Sequence, residues 1–177
     1  PAFDPGADAL TVAPLLEGSA VLPILNGRAG TAPFIDGVTV ATAAEKLADG
    51  SFAPALQPAT DDDAVGAINV ALAADGWFLD IADDAAPAAP IELQSAQAGG
   101  QVHTRLAARV GAGAKATVVE RHVGTGDALV SSVTNIVVGD GAELRWLIVQ
   151  EQPRGVTHLG QFNAWIGKDA RLTLFVM

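Results

Sequence analysis

Three aligned segments of the sequence decide the predicted fold: VGAGAKA at 110–116, VGDGAEL at 138–144 and IGKDARL at 166–172. Each has a branched apolar residue, a glycine, two turn-like residues, an alanine, a charged residue and an apolar residue. Their glycines, Gly111, Gly139 and Gly167, are spaced by 28 residues in both intervals (139 − 111 and 167 − 139). A fixed period of this length is typical of repeat architectures.

Each copy of the repeat is predicted to be a strand, a tight turn at the glycine, and a second strand. The runs Asn135–Val138 and Ala170–Val176 are rich in residues with high β propensity, and we expect the glycine to supply the backbone freedom of the corner. No helical pattern lies between the copies, so parallel pairing requires the chain to coil. We therefore predict an all-β parallel β-helix with coils of about 28 residues. A β-sandwich with coincidental glycine turns is the alternative.

The region before the repeats, residues 1–76, is predicted to be a small α/β region, and the solenoid core is predicted to span 77–177. Asn26-Gly27 after the apolar run 21–25 indicates a hairpin turn. Thr42 with Glu45 three residues later indicates a capping box at the start of a short helix.

A second helix is predicted over 64–74, with Val65, Ile68, Ala71 and Leu72 on one apolar face. The preceding acidic run, Asp61–Asp63, suits the positive end of a helix dipole. We interpret this run as a solvated helix cap and not as a metal site.

Composition and charge exclude several classes of function. Half of the 177 residues are hydrophobic, so the chain is globular, and no apolar run reaches the roughly 18 residues of a membrane span. The net charge is −10: residues 1–84 carry −11 and residues 85–177 carry +1. Nucleic-acid binding is disfavoured because it requires basic surface. The absence of cysteine excludes disulfides and any thiolate metal site made by these residues alone.

Short pieces of the sequence resemble, in order, the SufD branch of the SufB/SufD family of iron–sulfur cluster assembly proteins. The resemblance covers about residues 20–177. Its pieces are LNGR at 25–28, GVTV at 37–40, AIN at 67–69 with DG at 75–76, GAKATVVE at 113–120, TNIVVG at 134–139, and LIVQE at 147–151 with HL at 158–159.

The resemblance implies a right-handed parallel β-helix and a scaffold role in the cytoplasm. Family members pair with SufB, and they bind SufC, an ABC-type ATPase, through a C-terminal helical segment. The cluster is built within that complex, so we expect the chain alone to bind no cofactor and to catalyse nothing. The N-terminal helical and C-terminal parts of the family pattern have no counterpart here, so we interpret the chain as a fragment and transfer no cluster ligand.

The residues that carry ionisable chemistry are sparse. His103, His122 and His158 lack the spacing of ligand pairs on a helix, and we expect each to have a surface or structural role. Glu120 and Glu151 lie near predicted strand ends, where we expect them to be solvated. The glycines of 111–113 and 124–126 are interpreted as turns and not as phosphate loops.

The period also predicts which residues stack. Lys115, Glu143 and Arg171 should form a surface ladder with strands about 4.8 Å apart. The inward set is predicted to be Ala114, Ala116, Val118, Ala142, Leu144, Trp146, Ala170, Leu172 and Leu174.

Three outward apolar residues, Val119, Leu147 and Phe175, should form one column. Such a column needs a cover, which the N-terminal region, a bulge that turns the residues inward, or another chain could supply. The open end of the solenoid after 170–177 leaves backbone groups to be met by a second copy, giving a homodimer, or by a neighbouring molecule in a crystal.

Two other functions fit a β-helix. A secreted polysaccharide-acting enzyme would need clustered carboxylates on one exposed strand face, and residues 85–177 contain few acids. A structural or adhesive solenoid is the other.

Overall fold

The computed structural model describes residues 12–50, 60 and 62–177. Eleven strands and two helices are found in this part of the chain. The strands are β1 (Ala20–Leu25), β2 (Arg28–Ala29), β3 (Val38–Thr42), β4 (Asp75–Ile81), β5 (Ile91–Gln97), β6 (Gly100–Val110), β7 (Lys115–Gly124), β8 (Ala128–Val138), β9 (Glu143–Gln150), β10 (Val156–Ile166) and β11 (Arg171–Val176). The helices are α1 (Ala43–Ala48) and α2 (Ala64–Leu72).

The strands form two sheets, and from β4 onward successive strands alternate between them. Sheet A has the order β11-β9-β7-β5-β1-β2, and sheet B has the order β10-β8-β6-β4-β3. Neighbouring strands from β4 to β11 pair in parallel. The chain is therefore a β-solenoid of about four turns with strands about 28 residues apart, as predicted. A β-sandwich would need mostly antiparallel pairs, so that alternative is wrong.

The corner between sheets B and A is a four-residue turn that recurs in each coil. The amide of Ala142 donates to the carbonyl of Gly139 at 3.2 Å, and the third residue, Gly141, has a φ of +68°. A positive φ at this position is what a type II turn requires. The left-handed position is thus the third residue of the turn and not its first glycine.

The first glycine of each turn has a different role from the one predicted. A Cβ on Gly139 would lie 2.7 Å from the amide nitrogen of Ala112 in the preceding coil. Gly111 is more confined, since its Cβ would lie 2.4 Å from the amide nitrogen of Asp83. These glycines are required because backbones of adjacent coils approach closely, and not because of their own φ.

The inward side chains form one apolar core, as predicted. Ala114, Ala142, Leu144 and Trp146 are at most 1% exposed. In the last coil the burial decreases: Ala170 and Leu172 are half-buried. Leu174 is 41% exposed, because β11 has no further strand beside it among the described residues.

The N-terminal strands extend both sheets. β1 pairs in parallel with β5, and β1 and β2 form the predicted hairpin, with Asn26 and Gly27 both at positive φ. β3 pairs antiparallel with β4. The capping box of α1 is confirmed: Thr42 accepts from the amide of Glu45, and the carboxylate of Glu45 accepts from the amide of Thr42.

α2 lies on the outer face of sheet B, but its predicted apolar face is wrong. Ile68 and Leu72 are about half exposed, and the buried positions are Gly66 and Asn69. Asn69 donates to the carbonyls of Thr104 and Ser131 at 3.0 and 3.1 Å. The helix packs on a polar sheet surface, so a polar residue faces inward.

The N-cap of α2 is Asp63, which accepts from the amide of Gly66 at 2.8 Å and from Gln161 at 2.9 Å. The prediction of a helix cap is confirmed for Asp63, although this carboxylate also contacts β10. Asp61 lies outside the described residues.

The segment that precedes β1 crosses the outer face of sheet A. The amide of Leu15 donates to Glu92 at 2.7 Å, and Gln94 donates to the carbonyl of Val12 at 2.9 Å. Arg121 reaches the carbonyl of Ala13 at 2.7 Å. None of the helices in the described ranges has the length and apolar character needed to cross a membrane.

Candidate functional site

Ionisable groups meet inside the solenoid at the end of the strands opposite the repeated turns. We define the polar cluster as Glu120 and His122 on β7, Thr134 on β8, Trp146 on β9 and His158 on β10. Alternation along β7 explains the placement: Val118 faces the core, so Glu120 and His122 face it too. Sequence reasoning placed Val118 inward but did not extend the alternation to the next two inward positions.

Glu120 is the centre of the cluster and is 2% exposed. Its carboxylate accepts from Thr134 Oγ1 at 2.9 Å, from Trp146 Nε1 at 3.1 Å and from His122 Nε2 at 3.0 Å. Burial alone would raise the pKa of Glu120, but the hydrogen bond and charge of His122, with the bonds from Thr134 and Trp146, hold this pKa below its ordinary value. The prediction that Glu120 is a solvated strand-end residue is wrong.

His122 is fully buried beside Glu120. Because a carboxylate can only accept, Nε2 of His122 must carry the proton of their hydrogen bond. Its Nδ1 is buried with no hydrogen-bond partner among the described residues. The ring packs edge-on against His158, with centroids 4.5 Å apart and an interplanar angle of 70°.

His158 links the cluster to the surface. Its Nε2 lies 2.8 Å from Ser132 Oγ, and its Nδ1 lies 3.0 Å from Gln152 Oε1 and 3.2 Å from Gln150 Nε2. A hydroxyl and two amides satisfy either neutral tautomer. Burial, and secondarily the charge of His122, lower the pKa of His158 to about 4, against the opposing effect of Glu120. His158 is therefore neutral near pH 7.

The carboxylate of Glu120 is bonded to the imidazole of His122, and the ring of His122 contacts that of His158. In the described part of the chain, no three histidine or acidic side chains are arranged to hold a metal ion. His103 lies apart from the cluster, 8% exposed, with both ring nitrogens lacking a hydrogen-bond partner among described residues. Burial lowers the pKa of His103.

His103 and His122 are buried and His158 is partly exposed, so the expectation of a surface or structural role narrows to a structural role for His103 and His122, and it stays a prediction. Glu151 is exposed after the end of β9, as predicted, and its carboxylate pairs with Arg121. The missed feature is the contact between His122 on β7 and His158 on β10. These residues are more than one coil apart in the sequence, and no motif connects them.

The predicted apolar column is present in the strand register. Val119 pairs with Leu147, and Leu147 with Phe175. Val119 is fully buried, Leu147 is half-buried and Phe175 is 52% exposed. Glu92, which is next to Val119 in the register, is bonded by the segment that precedes β1. The N-terminal region thus covers the first member, and only Leu147 and Phe175 remain accessible to another chain.

Comparison with known families gives one match, which covers most of the solenoid. Residues 93–177 match the family described as SUF system FeS cluster assembly, SufBD core domain. The match runs from within β5 to the end of β11, which includes the whole polar cluster and the apolar column. It supports the SufB/SufD family and does not distinguish SufD from SufB. No curated protein matches the chain.

Proposed function

We propose, from the premise of this SufBD core match, that the protein is a SufD-type scaffold component of a SufB–SufC–SufD complex that assembles iron–sulfur clusters. The match supports involvement in iron–sulfur cluster assembly, and it is the observation that carries the proposal. Membership of the complex, the SufD assignment, the non-catalytic role and a cytoplasmic location are the parts that we add.

The chemistry of the described residues supports a scaffold role. The 177 residues contain no cysteine, and thiolates are the usual ligands of iron–sulfur clusters. In the proposed complex, the cluster is a cargo whose thiolate ligands come from outside these residues. The carboxylate of Glu120 is bonded by three donors of the polar cluster, which suits a structural role better than binding of an iron–sulfur cluster.

The surface supports contact with other proteins. Phe175 and Trp165 are each 52% exposed, on the edge strands β11 and β10. Edge strands offer unpaired backbone groups to a further strand, and exposed apolar side chains beside them add contact area. We propose that a SufB-like protein covers this surface when present, and that a second copy of the chain covers it otherwise.

The polysaccharide-acting alternative is not favoured. Glycoside hydrolysis requires two carboxylates on either side of one bond. On the exposed outer face of sheet A, Glu143 bonds to Lys115 at 3.1 Å, and Arg171 is its neighbour in the register. A carboxylate between two cations does not provide that pair.

The test is co-expression of the full-length protein with candidate SufB and SufC proteins, followed by affinity purification and mass determination. We expect a complex that contains all three chains. Phe175→Glu should reduce recovery of the SufB-like partner, because it places a charge in the proposed contact. Phe34→Glu is the matched control, since Phe34 is 91% exposed in the segment before β3, which is not part of the proposed contact, and it should leave recovery unchanged.

Two outcomes would contradict the proposal. The first is a protein that elutes alone from every co-expression, with normal folding. The second is a purified protein that builds a stable iron–sulfur cluster from iron and sulfide without partners, which would overturn the non-catalytic role.

A further inference from the structure

A groove lies on the outer face of sheet A, beside the repeated turns. Its volume is about 370 Å³, within the range of small-molecule sites. One wall is the loop 86–90, and the floor is formed by the first residues of β7, β9 and β11. The groove lies outside the polar cluster, and no step of the proposed function uses it.

The charges in the groove are predominantly positive. Its lining contains three cations, Lys115, Arg145 and Arg171, and one carboxylate, Glu143. The hydrogen bond and charge of Lys115, and then the charges of Arg171 and Arg145, lower the pKa of Glu143. Glu143 is therefore ionised, and the lining keeps a net charge of +2 on a chain whose net charge is −10.

The strand register directs these cations toward one place. Lys115, Glu143 and Arg171 form one outward column, as predicted, and Thr117, Arg145 and Thr173 form the next. Strands about 4.8 Å apart with a rise of about 3.3 Å per residue place the Cα of Arg145 about 8 Å from those of Lys115 and Arg171. Side chains of this length can reach a common ligand across that distance, and threonine hydroxyls stand on both sides of Arg145.

The wall formed by residues 86–90 limits the size of the groove but offers few polar groups. Residues 86–90 are alanine and proline, so they have no side-chain hydrogen-bond donors, and the prolines also lack an amide proton. Side-chain hydrogen bonds to a polar ligand must therefore come from the cations and threonines of the strands. Only Lys115 among the cations is within ion-pair distance of Glu143, so the two guanidinium groups are available to a ligand.

We propose that this groove binds a small ligand that carries phosphate groups with at least two negative charges in total. Guanidinium groups bond phosphate oxygens in a bidentate manner, and the tetrahedral oxygens can accept from an ammonium and a hydroxyl at the same time. A ligand with one negative charge would leave the second arginine uncompensated. The residues that hold the ligand are Lys115, Arg145 and Arg171, with Thr117 and Thr173 as neutral donors.

The test is isothermal titration calorimetry of the protein with inorganic pyrophosphate at low ionic strength, with citrate as the carboxylate comparison. We expect saturable binding of pyrophosphate at one site, weaker binding of citrate, and loss of affinity as salt is added. Arg145→Gln and Arg171→Gln should each weaken pyrophosphate binding about tenfold, equivalent to about 1.4 kcal/mol. Circular dichroism verifies that each variant is folded.

Two further variants make the result specific. Arg154→Gln removes the same charge from an exposed turn that does not line the groove, and it should change affinity less than about twofold. Glu143→Gln removes the repelling carboxylate of the lining and should increase affinity several-fold, a gain that misfolding would not produce. Absence of saturable pyrophosphate binding, or equal weakening by Arg154→Gln, would overturn the site. Citrate binding as tightly as pyrophosphate would overturn the phosphate assignment.

Discussion

The two ends of the solenoid interior have the same backbone and opposite chemistry. Beside the repeated turns, the inward positions of each coil are apolar: Ala116, Leu144 and Leu172 stack in one column. At the far end, the column that contains Glu120 has Leu93 before it and Ile148 after it. The first end repeats apolar residues from coil to coil, whereas the second has a polar cluster whose members differ from strand to strand.

The two ends are therefore stabilised by different interactions. The apolar end is stabilised by buried area and by close stacking of backbones, which any residue of suitable size supports. The polar end depends on particular donors and acceptors, because an ionised carboxylate is tolerated in the core only when it is paired and hydrogen-bonded. We therefore expect the polar end to be sensitive to side-chain chemistry and the apolar end to be sensitive to coil spacing.

The largest effect is expected for Glu120→Gln, which keeps the shape of the side chain and removes its charge. The amide cannot accept all three donors, and His122 loses its charged partner. Removing one member of a buried pair typically costs about 3–5 kcal/mol, so we expect the free energy of unfolding to fall by about 3 kcal/mol or more. Urea unfolding at pH 7 measures it.

Glu151→Gln is the control for that substitution, because Glu151 is exposed and Arg121, its partner, also pairs with Glu92. We expect a loss below about 1 kcal/mol. Equal losses for Glu120→Gln and Glu151→Gln would remove the distinction between the cluster and an ordinary surface pair.

The next largest loss of stability is expected at the apolar end, for a substitution that disturbs the close approach of the backbones. Gly139→Ala places a methyl group within 3 Å of three backbone atoms of the preceding coil, and overpacking of this kind costs about 1–3 kcal/mol. In Gly141→Ala, the added methyl group has no atom within 4 Å, and the only obstacle is the φ of +68°. We expect this backbone strain to cost about 1 kcal/mol. Thermal or urea unfolding of both variants compares them. A larger loss for Gly141→Ala would contradict the close approach of the coils.

Acid should destabilise the polar end. The pKa of His158 is about 4 in the folded chain and about 6.5 in an unfolded one. The unfolded state therefore binds the proton first, so stability is present above pH 6.5 and is lost as the pH falls toward 4. The full shift corresponds to about 3 kcal/mol. Because His158 is partly exposed, solvent screening reduces our expectation to about 1–2 kcal/mol.

The measurement is urea unfolding at several pH values between 7 and 4, for the wild type and for His158→Gln. The variant keeps a side chain that can bond Ser132 but does not titrate, so its stability should vary less over this range. Parallel pH profiles for the two proteins would show that His158 is not the group responsible.

The smallest effect is expected for Leu144→Met at the apolar end. Leu144 is 1% exposed, yet the substitution conserves volume and adds no hydrogen-bonding group, so the loss should be below about 1.5 kcal/mol. A loss comparable to that of Glu120→Gln would show that the apolar end depends on side-chain identity as strongly as the cluster does.

Features that repeat or that are local were predictable from the sequence. The period of 28 residues was enough to predict the solenoid, the pairing of Lys115 with Glu143 and the residues that face the core. A hairpin was predicted from Asn26-Gly27 and a helix cap from Thr42 with Glu45, because each of these patterns lies within a few residues.

Features that depend on the contact of unlike residues were missed. Nothing in the sequence near Glu120 indicates that His158, on another strand, packs against its partner His122. The buried face of α2 was predicted wrongly for a related reason. Asn69 is buried because it donates to carbonyls of sheet B, and the sequence of the helix does not indicate those partners. The apolar column was predicted in register together with a cover from the N-terminal region, but the sequence did not indicate that this cover would reach Val119 alone.

The 28-residue step has a consequence for how the chain avoids errors of alignment while it folds. A coil displaced by one full step would keep its backbone ladder and its turn, since both recur with the period. Glu120 would then occupy the place of Ile148 and lose the hydrogen bond from Trp146 of the next coil, so its buried carboxylate would keep fewer donors. The polar cluster thus distinguishes one alignment of the coils from the others that the repeat alone would allow.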